Sequence, residues 1–129
     1  MTLKEFQPEQ YEMVSEWWTA HNWTSVPQEF LSKTGLVVYD GDIPRAAIWL
    51  YRTDSPVMIA EWLVTNPENL PRESYKAVNL ILESIKDIAD SSGAYLMTFL
   101  QDPSLIKNFE KKEFHMEEKP YRIVHYGGQ

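Results

Sequence analysis

The chain has 129 residues, with 12 basic and 19 acidic side chains and a formal net charge of −7. It contains no cysteine, which excludes disulfides, thiolate metal sites and cysteine nucleophiles and favours a reducing, cytoplasmic location. The length predicts a single domain over residues 1–129. The negative charge disfavours nucleic-acid binding, and no apolar run is long enough to cross a bilayer, so we expect neither a nucleic-acid nor a membrane partner.

The first third of the chain predicts one strand and two helices. Residues Leu3 to Phe6 have the length of a short strand, and Pro8 suits the first turn of a helix. Aromatic and apolar side chains then recur at helical spacing, namely Tyr11, Val14, Trp18 and His21. A second, shorter helix is expected to begin at Pro27.

The middle of the chain has the pattern of an antiparallel sheet. Residues 35–39 and 43–51 are extended apolar runs, and the turn signal Asp40-Gly41-Asp42 separates them, so they predict a hairpin. Residues 57–64 form a third run of this kind. Pro67 ends that run, because the residue before a proline disfavours helix.

The last third predicts a long helix, a buried strand, a short helix and a closing hairpin. Apolar side chains of the long helix follow the i, i+3, i+4 pattern from Val78 to Ala89, and Gly93 suits its end. Residues 94–100 read as a central strand covered on both faces. Asp102 is an expected N-cap of the short helix. Residues 114–118 and 121–126 would form the final hairpin.

Two stretches carry a family resemblance. The first is Arg72-Glu73-Ser74-Tyr75-Lys76-Ala77 at the start of the long helix, and the second runs from Asp102 through Phe109-Glu110-Lys111 to Phe114. Together with the order of elements along the whole chain, they resemble the GNAT superfamily of N-acetyltransferases. The resemblance implies a single α/β (α+β) domain, with a mixed central sheet of about six to seven strands flanked by about four helices.

The resemblance also implies a site for acetyl-CoA. In this family the turn into the long helix holds the cofactor's pyrophosphate, and an extended strand contacts the pantetheine arm. The matching positions for cofactor binding are Leu63, Val64, Thr65, Asn69, Arg72, Glu73, Ser74, Tyr75, Asp102 and Phe109. Arg72 and Ala77 match the family pattern, whereas Glu73 adds a repelling carboxylate and Tyr75 adds bulk where the family keeps its backbone bare.

Catalytic residues are also implied by the resemblance. Phe109 stands where many members have a tyrosine that protonates the departing thiolate, and a phenylalanine cannot donate that proton. Glu61 lies on the strand beside the expected cofactor cleft, where a carboxylate would act as the base for an attacking amine. The alternative for Glu61 is an ion pair with Arg45 or Arg52, or exposure to water.

Trp23 and the histidines are weaker candidates. Trp23 lies in the segment that lines the acceptor side of the family's fold, so it would contact substrate, although packing is the commoner role of tryptophan. The three histidines are too scattered for a local metal motif, so we expect no metal. A triad of Ser104, His115 and Asp102 lacks the Gly-x-Ser-x-Gly elbow that would support it.

Two hypotheses for function therefore stand. The first is an acyl-CoA-dependent N-acyltransferase, which moves an acetyl group from acetyl-CoA to an amine of a small molecule or protein. The second is a catalytically degenerate GNAT-fold binding protein. A third, a dimeric or DNA-mimicking acidic protein, rests on the charge alone.

A second resemblance bears on the biological setting. The stretches Trp17-Trp18-x-x-His21-x-Trp23 and Glu61-Trp62-Leu63-Val64 resemble short GNAT-like proteins of tailed bacteriophages. That resemblance implies the cytoplasm of an infected bacterium and a bacterial host protein as partner. GNAT domains often pair through strand edges, so a homodimer is also expected.

Overall fold

A computed structural model describes residues 1–100, 102–117, 122, 124 and 126. The described elements are β1 (Thr2–Glu5), α1 (Tyr11–Ala20), β2 (Thr34–Asp40), β3 (Ile43–Arg52), β4 (Val57–Thr65), α2 (Pro71–Ser92), β5 (Tyr95–Met97) and α3 (Pro103–Lys111). Single 3-10 turns occur at Pro8–Gln10 and Gln28–Phe30.

The strands form one mixed sheet in the order β1-β2-β3-β4-β5. The first three pairings are antiparallel, and β4 pairs with β5 in parallel. The predicted hairpin is confirmed, since Asp40 pairs with Ile43 and the turn residue Gly41 has a φ of 62° that suits glycine. A mixed sheet needs a crossover before its parallel pair, and α2 provides it.

A bulge in β4 changes which face its side chains take. Ala47 of β3 pairs with Val64, but Trp49 pairs with Glu61, so β4 has one residue more than β3 over this interval. The extra length is absorbed at Trp62, whose φ is 66°. As a result, Leu63 joins the core on the α2 side, whereas a regular strand would have kept it on the face of Glu61.

Helices cover both faces of the sheet. The apolar stripe of α2 packs on one face with Phe109 of α3, and the members of this core that α2 contributes are Ala77, Val78, Ile81, Leu82, Ile85 and Ala89. On the other face, α1 contributes Val14, Trp17 and Trp18 to a second core. The helix α2 begins with proline at its first position and ends at Gly93, whose φ is 64°, as expected.

Four expectations differ from the structure. The described residues contain five strands and three α-helices, fewer than the six to seven strands and four helices expected. The predicted helix at Pro27 is one 3-10 turn, because three exposed residues cannot stabilise an α-helix. The strand β5 is three residues long, and Tyr95 is 67% exposed, so the predicted length of 94–100 and the predicted cover on both faces were wrong.

The closing hairpin is the fourth difference. Residues 114–117 contain no strand. Most of residues 118–126 lies outside the described residues, so the second half of that prediction is not tested.

Candidate functional site

The strands β4 and β5 separate at one end of their pairing. Their last paired residues are Ile59 and Met97, and β4 then continues to Thr65 paired with β3 but no longer with β5. Glu61 lies at the start of this opening. Its Oε1 accepts a hydrogen bond of 3.2 Å from the backbone N–H of Phe99, on the segment that follows β5. The carboxylate therefore bridges the two diverging segments.

An open groove of about 590 Å³ surrounds Glu61. Aromatic and apolar side chains form most of its lining, and the lining residues are Phe30, Tyr51, Ile59, Glu61, Trp62 and Phe99. We call it the Glu61 groove. Trp62 Nε1 donates to the Tyr51 hydroxyl at 2.7 Å, and that hydroxyl donates to the Phe30 carbonyl at 2.8 Å. These bonds fix the positions of the tryptophan and tyrosine at the groove wall.

The electrostatics of the groove favour proton uptake at Glu61. Burial raises the pKa of Glu61 above its ordinary value, and the hydrogen bond from Phe99 opposes this effect in part. Burial also raises the pKa of the Tyr51 hydroxyl, against the bond from Trp62. No ion pair between Glu61 and Arg45 or Arg52 occurs in the described residues, so that alternative for Glu61 is wrong.

The loop before α2 is held together by its own side chains. The Arg45 guanidinium contacts the Glu73 carboxylate at 2.9 Å and donates to Asn69 Oδ1 at 3.0 Å. Asn69 Nδ2 in turn donates to the Arg45 carbonyl at 2.9 Å and to Ser74 Oγ at 3.1 Å. The structure thus brings together three of the predicted cofactor residues, and it joins them to an arginine that the sequence pattern did not mark.

The backbone of this loop offers few free N–H groups. Glu73 Oε1 accepts from the Leu70 N–H at 2.7 Å, and Pro71 has no N–H to offer. The N–H groups of Glu73 and Ser74 both donate to the Leu70 carbonyl, at 2.9 and 3.1 Å. A pyrophosphate is normally held by such N–H groups, and here those of Leu70, Glu73 and Ser74 already have acceptors.

The remaining predicted cofactor residues occupy three places. Arg72 and Tyr75 are exposed on the first turns of α2, and Lys111 of α3 lies 5.9 Å from the Tyr75 ring centroid. Asp102 caps α3, accepting from the Ser104 N–H at 2.9 Å. Phe109 is 1% exposed and packs edge-on against Phe114, so its ring belongs to the core.

The far end of β4 is bonded to the end of α1. His21 Nε2 donates to the Thr65 carbonyl at 2.9 Å, and Trp23 stacks on the His21 ring with centroids 4.9 Å apart. Trp23 is 40% exposed but does not line the Glu61 groove. Leu63 and Val64 are buried on opposite faces of the sheet. Their backbone lies beyond the last β4–β5 pair, so its N–H and C=O groups on that edge are not used by β5. A strand needs such unpaired groups to bind an extended ligand.

Comparison with solved structures identifies the architecture. A probable acetyltransferase aligns over 99% of this chain and 100% of its own, with a TM-score of 0.77 and 14% identity. The ribosomal-protein-S18-alanine N-acetyltransferase of Escherichia coli aligns over 91% and 79%, with a TM-score of 0.71 and 9% identity. The chain has the GNAT fold. No protein-family model and no curated protein sequence matches it.

Another structural neighbour bears on the cofactor. A candidate acetyltransferase of Salmonella typhimurium, solved with its cofactor acetyl-CoA, aligns over 91% of this chain and 80% of its own, with a TM-score of 0.69 and 10% identity. The GNAT loop of the present chain does not fit a pyrophosphate, because Glu73 places a carboxylate at the helix N-terminus and takes up its N–H donor. The resemblance to phage proteins stays a prediction.

Within the described ranges, neither a cluster of metal-binding side chains nor a helix able to span a membrane is present. No group of three metal-binding side chains occurs among residues 1–100 and 102–117. In the same part of the chain, no helix combines the length and apolar character needed to cross a bilayer. Ser104 and Asp102, two members of the triad that the sequence did not support, are bonded to each other in the cap of α3, where Ser104 Oγ donates to Asp102 at 2.6 Å.

Several residues of the site were missed from the sequence. Phe30, Tyr51, Trp62 and Phe99 come from four separate segments, and local patterns give no signal that they meet. One signal was available for Arg45, which interrupts an otherwise apolar strand. A charged residue in a buried strand is expected to have a partner.

Proposed function

We propose that the protein is a GNAT-fold binding protein whose Glu61 groove takes a primary amine, a lysine side chain or N-terminus, of a protein partner. The observation that carries this proposal is the Glu61 carboxylate within an aromatic wall. A cationic ammonium is attracted both to a carboxylate and to the faces of aromatic rings. The net charge of −7 favours a cationic partner as well.

A protein partner fits the groove better than a small molecule does. The groove is open, and three of its aromatic side chains are well exposed, with Phe30 at 55%, Trp62 at 39% and Phe99 at 59%. Small-molecule sites usually enclose most of their ligand, whereas aromatic side chains, phenylalanine and tryptophan included, are enriched at protein interfaces. A bacterial host protein is the partner that the phage resemblance implies, and it remains part of this proposal.

Acyl transfer is the second candidate function. An amine must be neutral to attack a thioester, and Glu61, with its raised pKa, is suited to accept the amine proton. The fold and this one residue support an acyl-CoA-dependent N-acyltransferase. Two features oppose acyl transfer. The pyrophosphate site is not open, because Glu73 and Tyr75 occupy the loop before α2. Phe109 stands where many GNAT members have a tyrosine, and it cannot donate a proton.

The amine site is tested with a lysine side-chain analogue. We would titrate the protein with n-butylammonium and, as a neutral control of the same size, n-butanol, and follow the indole N–H resonance of Trp62 by NMR. We expect butylammonium to shift this resonance at lower concentration than butanol, and Glu61→Gln to remove the difference. Equal effects of the two probes on the wild type would contradict the amine site.

The two candidate functions are separated by cofactor binding. Binding to the folded state alone at about 100 times Kd stabilises a protein by roughly 2.7 kcal/mol. In a domain of this size, that raises the unfolding midpoint by several degrees. We expect no shift with millimolar acetyl-CoA. A clear shift would favour the acyltransferase, and Glu61→Gln would then be tested for lost turnover with retained cofactor binding.

A further inference from the structure

The carboxylate of Glu73 occupies the N-terminus of α2. One of its oxygens accepts from the Leu70 N–H at 2.7 Å, and the other contacts the Arg45 guanidinium at 2.9 Å. A helix N-terminus carries partial positive charge and attracts anions. This chain therefore provides its own anion at a place where an external one would otherwise be attracted.

Arg45 gives this place a second, independent feature. The residue is only 9% exposed, and its Nε has no hydrogen-bond acceptor among the described residues. Its two terminal nitrogens are held by Asn69 at 3.0 Å and by Glu73, while Asp40 is more distant at 3.7 Å. A buried guanidinium needs a close anion, and its fork of donors suits phosphate as well as carboxylate.

We infer that Glu73 is a built-in substitute for an anionic ligand and closes the α2 N-terminus to phosphate-bearing cofactors. An incoming phosphate would need the same donors from Leu70 and Arg45, and it would meet the negative charge of Glu73. The inference concerns a different part of the fold from the Glu61 groove. The amine site at Glu61 depends on other residues, so it can fail without this inference, whereas the argument against acyl transfer rests in part on the same Glu73 carboxylate.

The inference predicts that removing the carboxylate opens an anion site. We would measure binding of inorganic pyrophosphate by calorimetry to the wild type, Glu73→Gln and Glu73→Ala. Glu68→Gln is the matched control, because it removes one negative charge from the same loop, where Glu68 is exposed and is not paired with Arg45. We expect at least tenfold tighter pyrophosphate binding to both Glu73 variants than to the wild type or to Glu68→Gln.

A double variant tests whether Arg45 is the anion ligand. The Glu73→Ala change leaves Arg45 without its close partner, and adding Arg45→Met removes the unpaired charge while keeping an apolar stem. We expect the double variant to lose the pyrophosphate binding that Glu73→Ala gains. Retention of that binding in the double variant would overturn the role of Arg45.

Pyrophosphate binding to the Glu73→Gln variant is the decisive measurement. This variant preserves side-chain size and a carbonyl acceptor for Leu70, so it is the variant most certain to fold, which cooperative thermal unfolding would verify. If folded Glu73→Gln and Glu73→Ala proteins bind pyrophosphate no better than the wild type, the inference is wrong. A gain of equal size in Glu68→Gln would also overturn it, because loop charge alone would then explain the effect.

Discussion

Glu61 illustrates how one inserted residue positions a chemical group. The bulge at Trp62 lets β4 carry Glu61 on the α1 side of the sheet and Leu63 on the α2 side. The Glu61 carboxylate therefore lies beside the core at the rim of the Glu61 groove, where it accepts a hydrogen bond from the backbone N–H of Phe99. Its raised pKa is a consequence of that partial burial.

The raised pKa of Glu61 makes stability depend on pH in a definite direction. The folded state holds the Glu61 proton more tightly than the unfolded state, so this contribution is complete below the ordinary pKa of 4.5 and is lost as pH rises through the higher folded pKa. We therefore expect the free energy of unfolding of the wild type, relative to Glu61→Gln, to fall over that interval. Urea unfolding of both proteins at a series of pH values measures this difference in the free energy of unfolding.

The control for this prediction is Glu68→Gln, which changes an exposed carboxylate of the loop before α2. A change in pH dependence that occurs in Glu61→Gln and is not shared by Glu68→Gln would assign the effect to the partly buried carboxylate. The prediction would be contradicted if the free energy of unfolding of the wild type, relative to Glu61→Gln, stayed constant or increased with rising pH.

At the scale of single elements, the helix ends are set by residues that the sequence makes visible. Asp102 caps α3, and its hydrogen bonds with Ser104 lower the pKa of its carboxyl. Gly93 ends α2 with a positive φ, and Pro71 begins it. The turn at Gly41 was equally visible. The cap at Asp102, the end at Gly93 and the turn at Gly41 depend on neighbours in sequence, and they were predicted correctly for that reason.

The cap of α3 gives a prediction at this scale. Replacing Asp102 with alanine removes the acceptor of the Ser104 N–H, and the loss of such a cap costs about 1 kcal/mol. Asp102→Asn is the matched control, since asparagine is an equally good cap. We expect hydrogen exchange of the α3 amides to be faster in Asp102→Ala and nearly unchanged in Asp102→Asn. Equal rates in the two variants would show that the cap does not hold the helix.

Other elements could not be predicted because their state depends on distant residues. The apolar run 94–100 looks like a buried strand, but an apolar run does not show how many neighbours it has, and β5 proved short and terminal in the described sheet. The pair of Arg45 and Glu73 joins β3 to α2. The GNAT resemblance located the loop around Glu73, and the structure showed that the N–H groups of Leu70, Glu73 and Ser74 are already bonded.

At the scale of the whole molecule, two cores on opposite faces of the sheet hold the fold together. The larger contains the α2 stripe and Phe109, and the smaller contains Trp18 and Trp49 with ring centroids 5.5 Å apart. Each core depends on a different helix. Since a domain of this kind is stable by only about 5–15 kcal/mol, neither can lose a large side chain without a measurable effect.

The α2 core gives the prediction at this scale. Leu82 is fully buried, and Leu→Ala at such a site costs about 2–5 kcal/mol. We expect Leu82→Ala to lower the urea midpoint of the whole domain in one cooperative transition. The matched control is Leu70→Ala, because Leu70 is 55% exposed at the start of the same helix. A similar loss in both variants would show that burial in the α2 core is not the cause.

The five tryptophans divide into two groups by exposure. Trp17, Trp18 and Trp49 are at most 5% exposed, while Trp23 and Trp62 are exposed by about two fifths. Fluorescence from the first group reports on the integrity of the core, and a soluble quencher such as acrylamide would reach mainly the second. Quenching in a Trp23→Phe variant would then isolate Trp62 at the groove wall. The chain thus carries a natural optical probe of ligand access, separate from its probe of folding.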